Sequence, residues 1–359
     1  MEVDLLDDMA IYKTTDPGGM LELLRAFPKQ IEDGRRLAQE ADLKPLAGRK
    51  FDNIVLCGMG GSAIGGDLVK SYTIDSLRLP FVICRDYDLP GFVNDGSLVI
   101  GASYSGNTEE TLSAFAQALE RGASAAVLST GGKIIEIARE KGLVHIVLPS
   151  GLPPRAALGY SFSPLLTFFE RLEFVADQTA FIKETVSLLE DGVDQYSPEA
   201  PWEKNVAKAT ATILHGSLPI IFSDDTHFNA VAVRFRGQIN ENAKQLAYSA
   251  ALPENNHNEL VGWKVLGSLS SLILGVFLED EGMNPRVKFR MAFLKKTVQE
   301  CDVETVSLRS SGKSLLARMF SLIQLGDWIS YYMAILNSID PKPVEIIDKL
   351  KTALAEFNK

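Results

Sequence analysis

The chain has 359 residues, of which 46% are hydrophobic and 23% charged, and its formal net charge at pH 7 is -10. This composition is that of a folded globular protein, and the length favours two domains with two hydrophobic cores. A strongly negative chain is poorly suited to nucleic acid, whose phosphates require clustered Lys and Arg, although one local pocket can still hold a small anion. We therefore expect a globular protein without a nucleic-acid partner.

The sequence indicates neither a secretion signal nor a membrane segment. The chain begins with acidic residues where a signal peptide would be basic, and no apolar run reaches transmembrane length. Three widely spaced cysteines, Cys57, Cys84 and Cys301, favour buried thiols over a disulfide. We expect a cytoplasmic protein without a membrane partner.

The first 45 residues are predicted to be helical, because Leu21, Leu24 and Phe27 recur at helical spacing before a break at Pro28. From residue 51 onward, apolar strands alternate with helices. The predicted strands before residue 150 lie at 54–57, 98–100 and 125–128. Each is followed by a loop rich in Gly, Ser or Thr and then by a helix.

The second half of the chain shows the same alternation. A helix over 156–172 is followed by residues 191–201, a polar segment with Gly192, Pro198 and Pro201 that we interpret as a linker. The elements predicted beyond it are strands at 219–222, 269–278 and 303–308 and helices at 227–244, 287–299, 313–336 and 344–357.

Apolar strands that alternate with helices predict parallel sheets covered by helices on both faces. We therefore predict an α/β protein with two doubly wound parallel-sheet domains, at residues 46–190 and 202–359, after an N-terminal helical segment at residues 1–45. Such sheets bind ligands at the carboxyl ends of their strands. Function is expected in the loops that follow Leu56 and Ile100.

The first of these loops, residues 58–66, reads Gly-Met-Gly-Gly-Ser-Ala-Ile-Gly-Gly. Glycines permit a tight turn between strand and helix and leave backbone N–H groups accessible to an anion. The pattern also fits a dinucleotide-binding fingerprint, with Asp86 as a candidate ribose ligand. A close turn without any ligand is a third interpretation.

The second loop, Ser103-Tyr104-Ser105-Gly106-Asn107-Thr108, places three hydroxyl side chains, those of Ser103, Ser105 and Thr108, before a predicted helix. Hydroxyls and free N–H groups at a helix N-terminus suit a phosphate dianion. No P-loop lysine follows, which disfavours a nucleoside triphosphate. The alternative is simple N-capping of the helix, which needs one hydroxyl rather than three.

Together the two loops resemble the sugar isomerase (SIS) domain, a doubly wound module that binds phosphosugars. Later segments narrow the resemblance, from about residue 50 onward, to the bifunctional phosphoglucose/phosphomannose isomerase family. These segments are Pro154-Arg155-Ala156-Ala157-Leu158, Asn240-Glu241-Asn242-Ala243-Lys244, Leu252-Pro253-Glu254, His257-Asn258 and Leu350-Lys351. Their combined order and spacing are specific to this family, whereas each segment alone is not.

The resemblance implies an enzyme that interconverts glucose 6-phosphate, and by expectation mannose 6-phosphate, with fructose 6-phosphate. It assigns the general base to Glu241, ring opening to His257, stabilisation of the enediolate to Arg155 and a position near the ring oxygen to Lys351. The implied substrate contacts are Ser103, Ser105 and Thr108 for the phosphate and Gly60, Gly61 and Ser62 for the sugar. It also implies two tandem SIS domains, no metal or organic cofactor, and a homodimer in which His257 serves the neighbouring subunit's site.

Elementary chemistry agrees with these roles. Ring opening needs a group that gains and loses a proton near neutral pH, which suits histidine. One carboxylate can move a proton between C2 and C1 from the same face, and arginine stays charged while it stabilises the developing oxyanion. Arg155 also stands at a predicted helix start, where the helix dipole opposes a cation, and this favours a functional role.

Other interpretations stay open. Glu241 could be a surface acid at a helix end, His257 part of a polar loop, and Lys351 an exposed helix lysine. The whole protein could instead be an NAD-dependent oxidoreductase or a SIS-type sugar-phosphate sensor without catalysis. One departure from the family stands at Lys342, in Asp340-Pro341-Lys342-Pro343, where the family commonly has Thr.

Overall fold

The computed structural model describes residues 2–357 and has an α/β fold with two parallel sheets. The strands are β1 (Asn53–Gly58), β2 (Phe81–Cys84), β3 (Ser97–Ala102), β4 (Ser124–Ser129), β5 (Val144–Val147), β6 (Leu218–Asp224), β7 (Tyr248–Leu252), β8 (Ile273–Glu279) and β9 (Glu304–Arg309).

Helices cover both faces of these sheets. They are α1 (Glu2–Asp7), α2 (Met9–Thr15), α3 (Met20–Arg25), α4 (Phe27–Glu40), α5 (Gly60–Thr73), α6 (Glu109–Glu120), α7 (Gly132–Glu140), α8 (Leu158–Arg171), α9 (Thr179–Tyr196), α10 (Val206–Leu214), α11 (Asn229–Gln238), α12 (Asn255–Asn258), α13 (Pro285–Gln299), α14 (Leu315–Leu336) and α15 (Glu345–Phe357). Within residues 2–357, no helix combines the length and apolar character needed to cross a membrane.

The first sheet has five strands in the order β2-β1-β3-β4-β5, and the second has four in the order β7-β6-β8-β9. All neighbouring strands are parallel, as apolar strands followed by helices predict. The strand order reverses between β1 and β3 and between β6 and β8, the points where doubly wound sheets bind ligands. The predicted fold class is therefore confirmed.

Several predicted element bounds differ from the structure. The short outer strands β2 and β5 were not predicted, and the strand expected at 269–278 begins only at Ile273, because residues 267–271 form a 3-10 turn. The segment 191–201, predicted as a linker, is helical as far as Tyr196 in α9. The domain bounds themselves stay a prediction.

The hydrophobic interior also differs from the two separate cores expected from chain length. One main cluster runs through both sheets, since it contains Ile54 of β1, Ile221 of β6 and residues of the N-terminal helices. A smaller cluster lies on the remaining face of each sheet, around Val99 in the first and Phe222 in the second. The two sheets therefore share their largest core.

Helix α14 forms the centre of that shared core. Almost every residue from Leu316 to Leu336 is buried. The helix packs against α9, α10 and α11 and against the three short helices at the start of the chain. Because a helix that is apolar on all sides must be enclosed, the few polar side chains of α14 need buried partners.

Candidate active site

The glycine turn after β1 fits closely against a second segment of the chain. Gly60 has φ +48°, and a Cβ on Gly61 would lie 2.6 Å from the carbonyl oxygen of Pro154. A side chain at either position would therefore be strained or blocked. This contact places the turn directly beside the 3-10 turn Pro154–Ala156, which carries Arg155.

Ser62 joins the glycine turn to the serine-rich loop that follows β3. Its Oγ accepts a hydrogen bond from the backbone N–H of Tyr104 at 3.0 Å. Gly61, Ser62, Tyr104 and Pro154 also line one small cavity together. The two loops that were predicted separately as ligand sites thus form one continuous surface at the carboxyl ends of β1 and β3.

The hydroxyl groups of the serine-rich loop are arranged around its backbone. The Ser103 Oγ lies 2.9 Å from the Thr108 Oγ1 and accepts the N–H of Gly106 at 3.0 Å. Thr108 occupies the N-cap position of α6, yet its hydroxyl accepts no hydrogen bond from that helix. Simple capping therefore does not account for Thr108, and the first N–H groups of α6 carry no side-chain cap.

Residues that follow β4 also fix the serine-rich loop. Gly106 has φ +75°, and a Cβ there would meet the carbonyl oxygen of Gly131 at 1.8 Å. Asn107 Oδ1 accepts the N–H of Lys133 at the start of α7, at 3.1 Å. The geometry is preorganised, as a site for an anion at a helix N-terminus requires.

Arg155 is buried, with only 5% of its surface exposed. Its Nε donates to Asn242 Oδ1 at 2.7 Å, its Nη1 to Glu241 Oε2 at 3.3 Å, and its Nη2 to the carbonyl oxygens of Pro341 at 2.7 Å and Lys342 at 2.8 Å. A guanidinium group has five N–H donors. The remaining N–H on Nη1 has no acceptor among the described residues and is the donor left for a ligand.

Glu241 comes from the other half of the chain, in the π-helical segment Ile239–Ala243 that extends α11. Such segments often occur at functional sites, because the wider turn redirects side chains. Its side chain is 38% exposed, whereas the neighbouring Asn242 is fully buried. The carboxylate therefore has one side against Arg155 and another open to a ligand.

Helix α14 supports both of these residues from beneath. Ser330 Oγ accepts a hydrogen bond from Asn242 Nδ2 at 3.0 Å. Asp327 accepts a hydrogen bond from Arg234 at 2.6 Å, and Arg234 also donates to the carbonyl oxygen of Arg155 at 3.1 Å. Sequence reasoning missed these supports. The available signal was an acidic residue, Asp327, inside a strongly apolar helix.

The positive charges in this region influence each other. Burial lowers the pKa of Arg155, and the charge of Arg234 adds to this, while Glu241 opposes the shift. Burial and the charge of Arg155 lower the pKa of Lys244 to about 8. Lys244 Nζ donates to the carbonyl oxygens of Glu241 at 2.6 Å and Pro341 at 3.0 Å.

Two predicted residues are not brought into this group. His257 is exposed on the short helix α12, and its side chain forms no hydrogen bond or ion pair within the part of the chain that the structure describes. Lys351 is exposed on α15, where its Nζ lies 3.3 Å from Asp348. Of the other predicted site residues, Ser62 is joined to the loop of Ser103, Ser105 and Thr108 through its hydrogen bond with Tyr104, the turn of Gly60 and Gly61 lies against Pro154, and Arg155 is paired with Glu241.

Comparisons with known proteins identify the family and the fold. Residues 203–354 match the family described as "Bacterial phospho-glucose isomerase C-terminal SIS domain". Among solved structures, the hypothetical protein TT0462 from Thermus thermophilus has the same fold, with a TM-score of 0.74 and 16% identity over 94% of this chain and 90% of that one. The C-terminal domain of glucosamine-fructose-6-phosphate aminotransferase from Francisella tularensis has a TM-score of 0.67 and 14% identity, covering 90% of this chain and 98% of that one.

Relatives found by sequence have a higher identity to this chain than these two solved structures. The bifunctional phosphoglucose/phosphomannose isomerase of Caldicellulosiruptor bescii is 42% identical over 338 residues, which cover 94% of this chain and 99% of the relative. A protein of the same name from Aquifex aeolicus is 36% identical over 314 residues, which cover 87% and 92%. The predicted resemblance is confirmed: the chain belongs to the bifunctional phosphoglucose/phosphomannose isomerase family.

Proposed function

We propose that the protein interconverts glucose 6-phosphate and mannose 6-phosphate with fructose 6-phosphate. One observation carries this proposal: the Glu241 carboxylate is held against the buried Arg155 guanidinium, at 3.3 Å, beside the loops at the ends of β1 and β3. A base and a fixed cation next to an anion site are the groups that aldose-ketose isomerisation requires.

The serine-rich loop binds the phosphate in this proposal. Ser103, Ser105 and Thr108 supply hydroxyl groups, and the uncapped start of α6 supplies N–H donors. A dianion at that position is also favoured by the helix dipole. The sugar then extends along Gly60, Gly61 and Ser62 toward Arg155.

Glu241 moves the proton during isomerisation. Its carboxylate removes the proton from C2 of the open-chain aldose, the C2–H electron pair forms the C1–C2 double bond, and the π pair of the C1 carbonyl moves onto O1 to give an enediolate. A proton then passes from the O2 hydroxyl to O1. The electrons on O2 form the C2 carbonyl as the same carboxylate returns the proton to C1, which yields the ketose. Because C2 becomes planar in this intermediate, glucose and mannose 6-phosphates converge on it, which is why one site can serve both.

Arg155 stabilises the oxygen that gains negative charge. A buried guanidinium stays protonated, and its four internal hydrogen bonds fix its position, so no reorganisation is needed when charge develops. The unused N–H on Nη1 is the donor directed at the substrate in this proposal.

The finer proposal for His257 is that it completes the site of a neighbouring subunit in a homodimer. Its exposure and lack of side-chain partners among the described residues support this. Nearby apolar side chains are also exposed, with Val261 at 81%, Val265 at 86% and Phe289 at 72%, which is typical of a surface covered by another chain. Lys351 is proposed to approach the sugar ring from α15. The cytoplasmic location stays a prediction.

The function is tested by a coupled assay with each aldose and by proton exchange. Wild-type protein should turn over both aldoses, and Glu241→Gln should abolish both turnover and exchange of the C1/C2 proton with deuterated water. The variant should still bind 6-phosphogluconate, because the phosphate loop is unchanged. Absence of turnover with either aldose would refute the function, and persistent exchange in the variant would remove Glu241 from its role.

The shared site is tested by mixing inactive subunits. Glu241→Gln and His257→Ala protein, unfolded together and refolded at equal amounts, should recover about one quarter of wild-type activity, since half of the dimers are mixed and each has one intact site. If Glu241 and His257 of one chain served the same site, mixing would recover none.

A further inference from the structure

The loop of residues 340–343, which we name the proline loop, forms one wall of the Arg155 pocket. Both acceptors of Arg155 Nη2 are backbone carbonyl oxygens of this loop, those of Pro341 at 2.7 Å and Lys342 at 2.8 Å. Carbonyl oxygens orient a guanidinium only if the loop that carries them is itself fixed. The position of Arg155 therefore depends on what holds the proline loop.

Lys342 holds this loop against the beginning of the chain. Its Nζ donates to the carbonyl oxygen of Gly18 at 2.9 Å, and its backbone N–H donates to Asp340 Oδ1 at 2.9 Å. A Cβ on Gly18 would lie 2.7 Å from the Cβ of Lys342 and 2.9 Å from its Cδ. The lysine side chain therefore lies in direct contact with the glycine, and its amine bonds to the backbone there.

The turn of residues 16–20, which contains Gly18, is itself fixed to the core. Asp16, which is 8% exposed, accepts the N–H groups of Met20 and Leu21, both at 2.8 Å, and the hydroxyl of Tyr331 at 3.2 Å. Tyr331 belongs to α14, the same helix that supports Arg234 and Asn242. An unbroken series of contacts thus runs from α14 through Asp16 and Gly18 to Lys342.

We propose that Lys342 is a positioning residue for Arg155, and that the turn of residues 16–20 forms part of the frame of the active site. This inference rests on the role of Arg155 in the proposed function. It assigns to the N-terminal segment a structural role that the sequence alone does not indicate. Lys342 acts through the loop carbonyls and does not touch the substrate.

The expected consequence is specific to the chemical step. Without the Nζ bond, the proline loop can shift, and the guanidinium moves with its two carbonyl acceptors. A displacement of about 1 Å in a catalytic group costs on the order of 100-fold in rate. In the proposed function the phosphate is bound by the serine-rich loop, which contains neither Arg155 nor a residue of the proline loop, so ground-state binding is preserved.

The test replaces Lys342 by Met, an unbranched side chain that lacks only the terminal position and so removes the donor. We expect Lys342→Met to lower kcat by about 10- to 100-fold with KM within about 2-fold of wild type. Lys342→Arg, which can still donate to Gly18, should restore kcat to within about 3-fold of wild type. Lys29→Met, which removes an exposed lysine paired with Asp33 in α4, is the matched control and should leave kcat unchanged.

Gly18→Ala is an independent test of the contact between Lys342 and Gly18, because it changes the glycine and leaves the lysine in place. The new methyl group would push against Lys342 and should produce the same loss in kcat with unchanged KM. Thermal unfolding of Lys342→Met should shift by no more than about 2 °C, because the variant loses a single hydrogen bond in a chain of this length.

The outcomes separate this inference from the proposed function. An unchanged kcat in Lys342→Met, a parallel change of kcat and KM, or failure of Arg to rescue would each overturn the positioning role. If Arg155→Lys loses activity while Lys342→Met does not, the proposed function stands and only the inference fails. If Arg155→Lys keeps full activity, the proposed role of Arg155 fails first.

Discussion

In the first sheet, β1 and β3 end at Gly58 and Ala102 and lead into loops of Gly, Ser and Thr, whereas in the second sheet the corresponding strands end in acids. The acids at that edge are Asp224, Asp225, Glu279, Asp280 and Glu281. Both edges lie where the strand order reverses. The same position in two similar sheets therefore presents neutral hydroxyl and glycine residues in the first sheet and carboxylates in the second.

Asp280, one of the acids of the second sheet, has internal partners. Asp280 Oδ1 accepts from Ser310 Oγ at 2.6 Å and from Arg318 Nε at 2.8 Å. Burial raises the pKa of Asp224, and the charge of Asp280 adds to this shift. The fold thus supplies the location of a site, while the residues at the strand ends decide whether an anion can bind there.

The largest expected effect comes from placing a carboxylate, as found at the edge of the second sheet, at the edge of the first. Ser103→Asp should lower kcat/KM for both aldoses by about 1000-fold, because a carboxylate about 4 Å from a phosphate costs several kcal/mol. Ser103→Asn, which is of similar size and neutral, is the control. Steady-state kinetics should show the Asp variant at least about 30-fold below the Asn variant; equal losses would mean that charge is not what separates the two edges.

Arg155 supplies the cation of the proposed site. Arg155→Lys should lower kcat by about 100- to 1000-fold with a smaller change in KM, because an ammonium group cannot make the four fixed hydrogen bonds of the guanidinium. Kinetics combined with thermal unfolding check that the variant is folded. A folded variant with wild-type kcat would contradict the electrostatic role.

A smaller effect distinguishes two buried serines, one at each edge. Ser103→Ala should raise KM by about 5- to 30-fold, since it removes a hydroxyl of the phosphate loop. Ser223, in β6, has a buried hydroxyl without a hydrogen-bond partner among the described residues. Ser223→Ala should therefore leave KM unchanged and stability equal or higher. A similar rise in KM for both variants would erase the difference between the edges.

The smallest effect is a pH dependence of stability from Lys244. Its folded pKa of about 8 lies below the ordinary lysine value, so between the two the folded protein has released a proton that the unfolded chain still binds. Stability attributable to this group should therefore rise with pH above about 8. Denaturant unfolding at about pH 7 and about pH 9.5 should show a larger gain for wild type than for Lys244→Met. Equal gains would mean that Lys244 titrates normally.

The parts of the fold and site that could be predicted from sequence are those formed by residues that are consecutive in the chain. The serine-rich loop and the glycine turn are contiguous segments that directly follow strands, so their chemistry can be seen in a few consecutive residues. Arg155 and Glu241 were found only through the family resemblance. The structure brings them together across 86 residues of sequence.

What could not be predicted depends on packing between distant segments. Asn242 reaches Ser330, and Arg234 reaches Asp327, across 88 and 93 residues. No local pattern encodes such pairs. The strand β2, of four residues at a sheet edge, is too short for its pattern to be distinguished from a loop. The shared core was missed because chain length predicts core number only as a tendency.

That shared core has a consequence for how the molecule responds to heat. Because α14 packs simultaneously against elements of both halves and the N-terminal helices, neither sheet can lose its structure without exposing apolar surface of the other. Two sheets with separate interiors would melt independently, whereas these are coupled. The enzyme should therefore unfold as a single cooperative unit, and its activity and its tertiary structure should disappear over the same narrow interval of temperature.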